Sequence, residues 1–79
     1  MSDPAAVFHP PVKRSITIAG HPTSIALEPV FWAALETAAT DRNLPLSAIV
    51  AGIDAERLTA ATPPNLASAI RCALFLRQL

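Results

Sequence analysis

The stretch that decides the fold is Thr23–Arg42, TSIALEPVFWAALETAATDR, where a short alternating segment runs directly into an amphipathic helix. In its first six residues, Ile25 and Leu27 fall on one side of an extended chain, which is the pattern of a strand with one buried face. From Pro29 the apolar residues recur at helical spacing, and proline suits a first helical turn because its missing N–H needs no partner there. The sequence therefore predicts a strand that leads into a helix with almost no loop between them.

A second alternating segment precedes this stretch. Ser15–Ala19, SITIA, places Ile16 and Ile18 on one side of an extended chain. The run Gly20-His21-Pro22 then interrupts the pattern, so the two segments are expected to pair as a hairpin across a short turn.

Two further helices follow from the periodicity and from capping residues. Leu46, Ile49, Val50 and Ile53 recur at i, i+3, i+4 and i+7, and Asn65 is a good N-cap for a third helix after the two prolines at 63 and 64. Residues 1–12 hold three prolines and no periodicity, which predicts a flexible arm before a domain at 13–79. The predicted elements are strands at about 15–19 and 23–28 and helices at about 29–42, 46–58 and 65–78.

Composition adds an expectation about assembly and compartment. The chain of 79 residues is 52% hydrophobic and 15% charged, which is much apolar surface for so small a domain, and a core shared between two copies would hide it. One cysteine excludes an internal disulfide and fits a reducing compartment. No apolar run approaches the ~20 residues of a membrane span, so a cytoplasmic protein with no membrane partner is expected.

The sequence contains few residues that could act in catalysis, metal binding or phosphate binding. His9, His21 and Cys72 have no metal-ligand spacing, and two glycines form no phosphate-binding loop, so neither an enzyme, a metal site nor a cofactor is predicted. Cys72 stands among apolar residues and is interpreted as a small buried side chain. The formal net charge is zero, which weighs mildly against nucleic acid, although Lys13 and Arg14 stand together before the first strand.

The order of strand, helix, short turn and helix over Ser24–Ile53, SIALEPVFWAALETAATDRNLPLSAIVAGI, resembles the ribbon-helix-helix proteins, the group of the Arc and methionine repressors. The wider string RSITIAGHPTSIALEPVFWAAL, with NLASAIR at Asn65–Arg71, resembles a bacterial subfamily of short ribbon-helix-helix proteins. The fold class expected is mainly α with a short β ribbon, a ribbon-helix-helix unit plus a C-terminal third helix in an intertwined homodimer.

The resemblance implies that the Thr23–Glu28 strands of two chains pair and enter the major groove of double-stranded DNA, which admits a two-stranded ribbon. Base contacts would come from Ser24, Ala26 and Glu28. Phosphate contacts would come from the Lys13–Arg14 pair and from the first turn of the second helix, Leu46, Ser47 and Ala48. The expected dimer core is Ile25, Leu27, Phe31, Trp32, Leu35, Ile49, Val50 and Ile53.

Some residues depart from that pattern. Ala26 offers only a methyl group, Glu28 would face phosphates unfavourably, and Pro45 stands where a capping Ser or Thr is common in the family. A four-stranded sheet across the dimer would also be ~19 Å wide at ~4.8 Å per strand, against a major groove of ~12 Å. Two functions therefore stay open: a dimeric DNA-binding transcriptional regulator, or a dimeric module on the same fold that binds another protein and has weak or no DNA binding.

Overall fold

The chain folds as a two-stranded hairpin followed by three helices, and this confirms the predicted mainly α fold with a short β ribbon and a C-terminal third helix. The computed structural model describes residues 8–77, with side chains to residue 76; residues 1–7 of the predicted arm lie outside that range. The elements are β1 Val12–Ile18, β2 His21–Leu27, α1 Pro29–Arg42, α2 Leu46–Arg57 and α3 Leu66–Arg77. No helix within these residues has the length and apolarity needed to cross a bilayer.

The hairpin turn differs from the one expected at Gly20-His21-Pro22. The strands pair antiparallel from Ile18 opposite His21, so the loop is the two residues Ala19 and Gly20, with φ of 51° and 81°. Positive φ at both positions is the type I′ arrangement, whose twist matches that of paired strands. Pairs next to such a loop alternate between hydrogen-bonded and non-hydrogen-bonded, and Pro22 falls at a non-hydrogen-bonded pair where its missing N–H costs nothing.

Local signals set the helix ends. Pro29 occupies the first turn of α1, and Asn43 ends that helix in the left-handed region at φ 54°, with the Leu44 N–H donating to the Ala39 carbonyl. The N-cap of α3 is Asn65, whose Oδ1 accepts a hydrogen bond from the Ser68 N–H at 2.8 Å.

One face of the hairpin packs against the helices and forms a single core with them. Trp32 is 2% exposed, and its Nε1 donates a 2.8 Å hydrogen bond to the Val12 carbonyl, which ties the start of β1 to α1. Third-helix side chains close the core from the other side. The core residues are Ile18, Ile25, Leu27, Trp32, Leu35, Ala39, Ile49, Val50, Ile53, Ala69, Ile70, Ala73 and Leu74.

The residues expected to form a dimer core are packed within one chain. Of the eight residues expected at the dimer core, seven are buried within one chain, and Phe31 is half-buried. These side chains therefore already have packing partners within one chain. The physical reason is α3, because Ile70 and Leu74 supply the cover that a second chain would otherwise provide.

Candidate nucleic-acid interface

The outward face of the hairpin is formed by alternate residues of both strands. Because successive side chains on a strand point to opposite faces, the cross-strand pairs divide into two sets. The set packed on the helices includes Ile25 and Leu27. The opposite set, called here the outer face, consists of Lys13 opposite Ala26, Ser15 opposite Ser24, and Thr17 opposite Pro22.

The outer face is largely polar and carries no acidic side chain. Five of its six residues are exposed, and Ala26 is half-buried. Ser15, Thr17 and Ser24 supply three hydroxyl groups, each able to donate and to accept a hydrogen bond, and Lys13 supplies one positive charge. This surface can contact base edges and phosphate oxygens, but its short side chains discriminate weakly between bases.

Lys13 and Arg14 were expected to act together on phosphate, and the strand separates them. Lys13 lies on the outer face, whereas Arg14 lies on the face packed against the helices. The Arg14 guanidinium stacks over the Trp32 ring at 4.8 Å, and its Nη1 donates to Glu36 Oε1 at 2.8 Å. Arg14 therefore helps to hold the hairpin on α1, and each hairpin offers one lysine at the outer face.

Glu28 ties α3 to the end of β2. Its Oε1 accepts hydrogen bonds from Nε and Nη2 of Arg71, at 3.0 Å and 2.8 Å, and Arg71 Nη2 also lies 3.5 Å from the Ala26 carbonyl oxygen. A hydrogen bond with the Glu28 backbone and the hydrogen bond from Arg71 lower the pKa of the Glu28 carboxyl below its ordinary value. A carboxylate bound in this way is not turned towards an incoming base, which removes the repulsion that its sequence position suggested.

The first turn of α2, Leu46–Ala48, is placed away from the hairpin turn. That turn meets the C-terminal end of α2 across a cavity lined by Ala19, Asp54 and Arg57. With a rise of about 1.5 Å per residue, Leu46 is roughly 17 Å further along the helix than Arg57. Its N-cap is Pro45, which makes no side-chain capping bond, so the first N–H groups of α2 are not capped by a side chain.

The ribbon itself is built within one chain. The two-stranded sheet has the order β1-β2, so β1 takes one edge of β2, and the Arg71 side chain lies beside the other edge at Ala26. The sequence could not show this arrangement, because Arg71 is 43 residues from Glu28 and neither residue belongs to a motif. A single acid and a single base on two distant elements are too common a pattern to predict a pair.

A sequence profile described as a ribbon-helix-helix domain matches residues 11–78, which includes both strands and all three helices. The chain belongs to the ribbon-helix-helix family. Ribbon-helix-helix domains typically bind DNA and regulate transcription, commonly form dimers, and are generally not enzymes. No curated protein and no solved structure matches this ribbon-helix-helix chain significantly. In the part of the chain that the structure describes, no group of three His, Cys, Asp or Glu side chains could hold a metal ion.

Proposed function

We propose that this protein is a homodimeric transcriptional regulator that binds double-stranded DNA by placing the outer face of each hairpin in the major groove. The observation that supports this most directly is a complete two-stranded ribbon with three hydroxyls, one lysine and no acid on its exposed face. A two-stranded ribbon fits the ~12 Å major groove. The four-stranded width of ~19 Å that conflicted with this groove does not arise when one hairpin enters alone.

The residues of the outer face have different roles in this proposal. Lys13 contacts a phosphate oxygen, while Ser15, Thr17 and Ser24 contact base edges directly or through water. Serine and threonine hydroxyls can bond to donors and acceptors alike, so sequence preference is modest and most of the affinity comes from phosphates. Ala26 contributes at most a methyl contact, to a thymine methyl group. Glu28 makes no base contact, and Arg14 no phosphate contact.

The first experiment measures salt dependence. Two Lys13 side chains in a dimer neutralise about two phosphates, so the logarithm of the binding constant falls with the logarithm of salt with a slope near −1.8, at ~0.9 per phosphate. Fluorescence anisotropy on labelled genomic duplexes measures this slope. Lys13→Ala should flatten it nearly to zero, whereas Lys13→Arg, which keeps the positive charge at the same position, should leave it unchanged.

The second experiment adds a long donor to the outer face. Thr17→Arg should strengthen binding and favour guanine, because an arginine fork fits the guanine O6 and N7 acceptors. The matched control is Thr37→Arg, which adds the same charge at an exposed position of α1. Equal effects of the two substitutions, or a salt slope that survives Lys13→Ala, would show that the hairpin does not enter the groove.

The low positive charge of the outer face supports the alternative, in which the protein binds another protein. The outer face carries one cation per chain, and three of the other basic side chains, Arg14, Arg57 and Arg71, are in intramolecular ion pairs with acids. Absence of DNA binding at low salt, in a protein shown to be folded, would replace the regulator by a dimeric module that binds another protein.

A further inference from the structure

A cavity of about 440 Å³ lies between the hairpin turn and the helices. It is bounded by the tip of the hairpin, the C-terminal end of α2 and the start of α3, and it lies on the opposite side of the ribbon from the outer face. Ile18, Ala19 and Leu66 form its apolar part, and five polar side chains form the rest. Cavities that bind small molecules have volumes of about 300–1,000 Å³, so this one has room for a small ligand.

An ion pair lines this cavity and leaves part of its hydrogen-bonding capacity unused. Nε and Nη2 of Arg57 both donate to Asp54 Oδ1, at 3.0 Å and 2.8 Å, and Nη1 donates to the Pro64 carbonyl at 3.2 Å. Asp54 Oδ2 and two of the five N–H groups of Arg57 have no hydrogen-bond partner within residues 8–77. The two side chains are 21% and 22% exposed, so water screens their charges only in part.

Other polar groups in the cavity also have capacity to spare. Asn65 Oδ1 caps α3 by accepting the Ser68 N–H, whereas the Asn65 NH₂ group donates to nothing in the part of the chain that the structure describes. The ring of His21 makes no hydrogen bond in that part either, and the Thr23 hydroxyl makes only a long one, 3.4 Å, to the His21 carbonyl. The cavity therefore offers a carboxylate acceptor beside several N–H and O–H donors.

We infer that this cavity binds a free α-amino acid with an apolar side chain. The ammonium group of such a ligand fits Asp54 Oδ2, and its carboxylate fits the unused N–H groups of Arg57 and Asn65, as charge-assisted hydrogen bonds. A zwitterion bound in this way is complementary to the Asp54–Arg57 pair and adds no net charge to the cavity. Its side chain packs on Ile18 and Leu66, which removes apolar surface from water.

The same groups fit other classes of ligand less well. A phosphate or nucleotide would bring negative charge next to the Asp54 carboxylate, and Arg57 is already paired with that carboxylate. A purely apolar ligand would displace water from the polar groups of the cavity without replacing their hydrogen bonds. Within the described residues, no group of three His, Cys, Asp or Glu side chains could hold a metal ion here.

A titration of the full chain tests this inference, with amide chemical shifts measured by NMR. The ligands are L-valine, L-leucine, L-isoleucine and L-methionine, and at least one should bind saturably and shift the amides at 18–23, 54–57 and 65–66. For the tightest of them, the same molecule without its amino group and the same molecule without its carboxyl group are the matched controls. Each control should bind roughly tenfold more weakly, because it loses a charge-assisted hydrogen bond.

Two substitutions test the assigned groups. Asn65→Asp should weaken binding roughly tenfold with the fold retained, because aspartate caps a helix as well as asparagine does but lacks the NH₂ donors and repels the ligand carboxylate. Asp54→Asn should also weaken binding, since it removes the charge that holds the ammonium group. The matched control is Asp41→Asn, the same change at an exposed position of α1, which should leave the affinity unchanged.

The chain's one cysteine reports binding elsewhere on the surface. Cys72 is exposed, not buried as its apolar neighbours predicted, and it does not line this cavity. Its rate of alkylation by iodoacetamide should therefore be the same with and without the amino acid.

The inference is overturned if none of the four amino acids binds the folded chain at about 10 mM, or if the shifts lie outside the three segments and Cys72 is protected. Equal binding of either truncated ligand, or affinity that survives Asn65→Asp, would overturn it too. So would tighter binding of adenosine monophosphate than of any amino acid. None of these measurements contains DNA, so their outcome and that of the DNA-binding experiments are independent.

Discussion

Replacement of Trp32 by phenylalanine tests whether the buried indole anchors the hairpin to α1. The indole is buried and its Nε1 donates to the Val12 carbonyl at 2.8 Å, which joins β1 to α1. Phenylalanine keeps most of the apolar contact but loses this donor and two ring carbons. The hydrogen bond contributes about 0.5–1.5 kcal/mol, and the two carbons contribute about 1.6 kcal/mol at ~0.8 each.

The expected loss is therefore roughly 2–3 kcal/mol of unfolding free energy. For a domain of this size each kcal/mol lowers the melting temperature by about 4–8 °C, so the decrease should be roughly 8–24 °C. Circular dichroism at fixed protein concentration measures it, since the substitution removes the one tryptophan that fluorescence would follow. Hydrogen exchange of the β1 amides should speed up as well, because the strand loses its anchor.

Arg14→Ala is the control for the neighbouring contacts. It removes the stack on Trp32 and the exposed ion pair with Glu36, which together contribute at most about 2 kcal/mol and typically less than 1. A decrease below about 3 °C for Trp32→Phe, or unchanged exchange in β1, would refute the claim that the indole anchors the hairpin.

Three more expectations concern the stability of the same domain. The lowered pKa of Glu28 means that its contribution to stability is present above the ordinary glutamate pKa of 4.5 and is lost as the pH falls through the lower folded value. Urea unfolding across this range should show a weaker acid dependence for Glu28→Gln, and an equal dependence would contradict the role of the Arg71 pair. Truncation after Pro64 removes a helix with two large buried side chains, at about 1.5–3 kcal/mol each, so cooperative melting should be lost or strongly lowered. An unchanged melting temperature for residues 1–64 would show that the rest of the domain is stable without that helix. Ala19→Asn should raise the melting temperature by a few degrees, because asparagine tolerates the positive φ of 51° better than alanine does; a decrease would show that the turn is not under strain.

The regular elements could be predicted because their signals are local. Pro29 and Asn43 mark the two ends of α1, and the apolar spacing from Leu46 to Ile53 marks α2, so their bounds in the structure lie within a residue or two of the expected ones. The turn was misplaced because alanine in the left-handed region leaves no trace in a sequence, while the adjacent Gly20-His21-Pro22 has the composition of a turn.

The site was harder to predict because it depends on contacts between distant residues. The alternation of the strands placed Ser24 on the outer face, but it could not show that Arg14 would lie against Trp32 or that Arg71 would reach Glu28. The expected sharing of the core between two copies also rested on composition alone, which could not show that the third helix covers the same core residues within one chain.

The two-residue loop places both strands of the ribbon in one chain, and this determines the symmetry of the outer face. A ribbon made of one strand from each of two identical chains contains a two-fold axis, so every outward residue occurs twice and one substitution changes two positions. Here residues 12–27 encode both strands, and the six outward positions are independent of one another. Lys13 lies at one end of the outer face and Thr17 at the other, so the two ends of the face carry different side chains. Under the proposed function, a duplex sequence bound by one hairpin therefore does not have to be palindromic, and each of the six positions can be changed alone.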